Sequence, residues 1–110
     1  MTLDMRFTDE QIDSICLQGV DYSCACPSQL SNEIKKIRSL FQYQNECLLD
    51  DNAILKAKSH QMLKEATRIA HSVLEICLKD ILINEEWDMD TLTMPTHLRK
   101  KLESNTSFIK

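Results

Sequence analysis

Apolar positions recur along this chain at alternating steps of four and three. The clearest run is Leu30, Ile34, Ile37, Phe41, Gln44 and Leu48, with glutamine filling one place. Steps of this size return to one side of an α-helix, so the pattern predicts a helix over about 27–49. A second run, Leu63, Ala66, Ala70, Val73, Cys77 and Ile81, predicts a longer helix over about 53–86. Beyond Val73 the apolar places widen to include Leu74, Ile76, Leu78, Leu82 and Ile83, so its C-terminal half is expected to be the covered half. Asp50, Asp51 and Asn52 separate the two runs and mark a turn. The two helices then form an antiparallel hairpin with these seams face to face.

Local signals place the remaining elements. Thr8 with Gln11 has the spacing of a capping box, and Gly19 is a natural stop, so a short helix is expected over about 9–18. Its apolar face carries Ile12, Ile15 and Cys16. Pro27 suits a first helical turn, where its missing N–H costs nothing, and this puts Cys26 at the N-cap. Pro95 opens a short C-terminal helix over about 95–103, with 104–110 a loose tail. Trp87, Leu92 and Met94 are spaced as anchors for the irregular segment before it. The fold class is all-α: a helical bundle built on one long hairpin, with two short helices packed on it, in a single domain over 1–110.

Composition supports this and narrows the function. A chain of 110 residues with one glycine and two prolines lacks the turn residues of a sheet protein. A net charge of -4 argues against nucleic acid as a partner. The basic clusters Lys35-Lys36-Arg38 and Arg99-Lys100-Lys101 are expected to be solvated helix faces. The first ten residues lack the apolar stretch of a signal peptide. No run approaches the ~18 apolar residues of a membrane span. The chain is therefore expected in the cytoplasm, away from membranes, with its thiols reduced.

Five cysteines are many for that compartment. With the hairpin turn at Asp51, Cys26 falls opposite residue 76, beside Cys77, and the first helix brings Cys16 within about one turn. Cys16, Cys24, Cys26 and Cys77 are thus expected to converge at one end of the bundle, with Cys47 apart from them. Four thiolates suit Zn²⁺ or an iron–sulfur cluster. Cys26 at an N-cap would have its pKa lowered by the helix dipole. Buried cysteine also serves as a small apolar residue, so packing alone accounts for the same positions.

Other chemistry finds little support. His60 and His71 share a face but lie about 16.5 Å apart along a helix, too far for one metal. Neither has the Glu three residues earlier that a di-iron bundle needs. The stretch Asp88–Thr93 opens like a calcium loop but lacks its later glycine and glutamate. Phosphate-loop, GxSxG and HExxH motifs are absent. Phe41, Tyr43, Trp87, Met89, Leu92 and Met94 are candidates for an apolar patch that binds a partner. The expected function is a small intracellular, non-enzymatic binding or assembly module, either self-associating as a dimer or binding another protein. A metal protein using the cysteine cluster is the first alternative, and a thiol redox protein the second.

Overall fold

A computed structural model describes residues 3–48 and 54–98. It contains three α-helices: α1 (Asp9–Gln18), α2 (Cys26–Leu48) and α3 (Ile54–Asn84), followed by a single 3₁₀ turn, Thr96–Leu98. The expected hairpin turn, most of the expected last helix and the tail lie outside the described residues. α2 and α3 run antiparallel, as the pairings Tyr22 with Glu85, Arg38 with His71 and Gln44 with His60 require. α1 lies antiparallel along α2, with Asp9 bonded to Arg38 and Asp13 to Lys35. The all-α bundle is the fold observed.

The helix ends follow from local chemistry. Thr8 Oγ1 accepts the Gln11 N–H and the Gln11 side chain accepts the Thr8 N–H, closing the capping box. Gly19 ends α1 with an ordinary right-handed backbone, φ -57°. Its value is space: a Cβ there would sit 2.4 Å from Ser28 Cβ, so only glycine lets α1 and α2 approach this closely. α2 starts one residue earlier than expected. Ala25 O accepts the Gln29 N–H, so Cys26 lies in the first turn rather than at the cap. The Cys24 sulfur accepts the Cys26 N–H at 3.5 Å, satisfying one of the donors that a helix start leaves open.

After α3 the chain turns through Glu86, at φ 65°, with Trp87 N–H bonded back to Leu82 O and Glu86 N–H to Ile83 O. That turn drops Trp87 into the core. Asp88 Oδ1 accepts the N–H groups of Asp90 and Thr91, which tightens the following loop and holds the Asp88 carboxyl below its usual range. The Gln18 side-chain amide then clamps the loop to α1, donating to Leu92 O and accepting from Met94 N–H, each at 2.7 Å.

The core therefore gathers at the end of the hairpin where α1 and this loop close over α2 and α3. Phe7, Ile12, Ile15, Tyr22, Ile34, Leu78, Leu82, Trp87, Leu92 and Met94 pack there in one cluster. Tyr22 meets Trp87 edge to face at 5.2 Å. Its hydroxyl donates to Glu85 at 2.5 Å, and burial, together with that carboxylate, pushes the phenol up to about 12.

The face that α3 turns inward differs from the expected seam. Its buried line is Lys64, Thr67, His71, Glu75, Leu78 and Leu82, whereas Leu63, Ala66, Val73 and Cys77 are exposed. Thr67, His71 and Glu75 are admitted through their hydrogen bonds to the backbone and to Arg38, and Lys64 through the Phe41 ring beneath its ammonium. Ala70 and Ile81, the other two members of the expected seam, are half-buried, so hydrophobic spacing alone places this helix about a third of a turn from its observed rotation.

Candidate functional site

Two constellations and one surface stand out, and the polar interior explains the surface. Glu75, 1 % exposed, accepts the Arg6 N–H at 2.9 Å, the Phe7 N–H at 3.1 Å and Arg38 Nη2 at 3.0 Å. Arg38 makes three further bonds: Nη1 donates to Asp9 at 2.7 Å, Nη2 also donates to Phe7 O at 2.7 Å, and Nε donates to His71 Nε2 at 2.9 Å. His71 must then be neutral, with its proton on Nδ1, which lies 3.6 Å from Glu75 Oε1. Burial lowers its pKa; the Glu75 charge opposes the shift and the Arg38 charge adds to it. The network ties the N-terminal segment, α1, α2 and α3 together. Its members bond one another and the backbone of the N-terminal segment, so the network acts as a structural lock.

The cysteines are dispersed around the same end of the hairpin. Cys26 and Cys77 line one open groove of about 620 Å³ between α2 and α3, with Gln29, Leu30, Glu33 and Ile81. Cys24 turns from this groove toward Glu85, its sulfur 3.9 Å from Oε2. Cys16 lies between α1 and α2, donating toward Asn32 Oδ1 at 3.5 Å. Among the described residues, no three His, Cys, Asp or Glu side chains come together as metal ligands. The expected thiolate at Cys26 is also reversed: the hydrogen bond and charge of Cys24 raise its pKa, and burial raises that of Cys16. The side chain of Cys47 lies outside the described residues.

The expected partner patch divides. Trp87, Leu92, Met94 and Phe41 are buried in the chain's own interior, Phe41 beneath the Lys64 ammonium at 5.5 Å. An irregular segment with three large apolar residues is more stable folded over its own helices than held out in water. Tyr43 and Met89 remain at the surface.

An organised apolar line lies elsewhere, on the outer side of α3. Met62, Ile69, Val73, Ile76 and Ile83 are 65, 51, 59, 41 and 51 % exposed. Ala66 and Asp80, also exposed, complete a line with unbroken steps of four and three from 62 to 83. Each apolar member except Ile83 stands two positions, about 200° around the helix, before or after a buried residue. The line is therefore opposite the polar lock. Its length, 21 residues, spans about 32 Å at 1.5 Å per residue. No helix among the described residues is long and apolar enough to cross a membrane.

Comparisons with protein-family models, curated proteins and solved structures return no match.

Proposed function

We propose that this chain is a non-enzymatic assembly module that associates with a second copy of itself through the outer face of α3. The observation that carries the proposal is the seam Met62–Ala66–Ile69–Val73–Ile76–Asp80–Ile83, a heptad-spaced apolar line left in water by the fold. A helix with an apolar line on its outer side offers a seam where another helix can pack. The inward polar residues support the same view. Arg38, His71 and Glu75 hold α3 in this rotation through bonds that a rotated helix would break.

Sedimentation velocity from a few to about 100 µM tests the proposal. The expected result is a concentration-dependent dimer that Val73→Asp converts to monomer, with helix content unchanged because Val73 contacts water in the single chain. A wild-type chain that stays monomeric across this range contradicts it, as does a dimer indifferent to Val73→Asp.

A further inference from the structure

Resting on that reading of the α3 face, we infer that the two copies pair antiparallel, with Val73 of one chain against Ile69 of the partner. The seam sets two classes of position: Ala66, Val73 and Asp80 in one, Met62, Ile69, Ile76 and Ile83 in the other. In a parallel pair, each residue faces its own copy. Asp80 would then meet the partner's Asp80 inside the apolar line, a like-charge contact at close range. In an antiparallel pair, the two classes interleave. Val73 packs on the partner's Ile69, small Ala66 receives the partner's Ile76, and Asp80 moves to the end of the interface against the partner's Met62. The two aspartates are then about 27 Å apart along the helices.

The flanking charges select this register independently. Glu65 and Lys79, both exposed, lie on the same edge of the seam; Glu65 already pairs with Arg68 of its own chain, and a partner's lysine adds a second cation beside it. Antiparallel pairing in the stated register brings Glu65 within about 3 Å, along the axis, of the level of the partner's Lys79, on the same edge of the interface, and the two-fold axis repeats the pair. A register moved by one heptad sets Glu65 beyond the end of the partner's α3 or beside its Ser72, and the pair with Lys79 is lost. Parallel pairing sets Glu65 beside Ala70 and Lys79 beside Asn84, so neither charge gains a partner. The small residues Ala70 and Ser72 fall near the axis, where two backbones come closest.

Charge reversal tests the orientation separately from the association itself. Lys79→Glu and Glu65→Lys are surface changes, and circular dichroism melts serve as the check that both chains stay folded. Each variant alone is expected to weaken its homodimer about fivefold to tenfold, since two like-charge contacts replace two attractive ones. Mixing the two variants is expected to restore wild-type affinity through a heterodimer, and high salt to flatten all these differences. A dimer broken by Val73→Asp, yet showing no recovery on mixing, overturns the antiparallel register and leaves the α3 face standing. A wild-type monomer at about 100 µM overturns both.

Discussion

Glu75 joins the N-terminal segment and α2 to α3. It accepts from two backbone N–H groups and one guanidinium while 1 % exposed, and each donor belongs to a different part of the fold from its own. Glu75→Gln keeps the shape but removes the charge that compensates Arg38. It is expected to cost about 3 kcal/mol in urea unfolding, the usual scale for breaking a buried pair from one side; a loss under about 1 kcal/mol would contradict the lock. His71 adds a pH dependence. Burial lowers its folded pKa below the ordinary value of 6.5, so the unfolded chain takes up a proton that the folded chain refuses. Stability from this group is complete above about 6.5 and is lost as pH falls below it. His71→Gln, whose amide oxygen can still accept from Arg38, is expected to lose less stability between pH 7 and 5 than the wild type does. Equal losses would show that His71 stays uncharged or unlinked. Little of this lock was legible in the sequence. Its members are separated by 33 and 37 residues, and a polar residue read alone defaults to the surface.

At the scale of elements, legibility depended on how local the determining chemistry is. The capping box of α1 and the proline start of α2 act within four residues, and both ends fell within one residue of expectation. The rotation of α3 is decided by tertiary partners, and hydrophobic spacing misassigned it: the expected line through Val73 and Cys77 faces outward. Of the outer line, only Ala66 and Val73 belonged to the expected run; Met62, Ile69 and Ile76 lie one residue before its other members. Gly19 shows the same division. Helix propensity favours alanine there by up to about 1 kcal/mol. The structure predicts the opposite sign, because the added Cβ meets Ser28 Cβ at 2.4 Å. Gly19→Ala is expected to destabilise by about 1–3 kcal/mol, with Ser28→Gly in the same chain recovering part of the loss. A stabilised Gly19→Ala protein would contradict the close approach of α1 and α2.

The whole molecule is slender, 62 × 31 × 18 Å, with a Cα radius of gyration of 18.0 Å. A compact chain of this length has a radius nearer 13 Å, so a large share of each helix meets water. One end is closed by α1 and the Trp87 loop, while α3 keeps an apolar line of about 32 Å along its outer side. Antiparallel pairing there covers that line and thickens the particle without lengthening it, because the axis crosses near the middle of α3. Small-angle X-ray scattering on protein at about 100 µM tests this most directly. The account predicts a particle of twice the 12.8 kDa chain mass with a longest dimension still close to 62 Å. A particle of one chain's mass would contradict it, and so would a two-chain particle approaching twice that length.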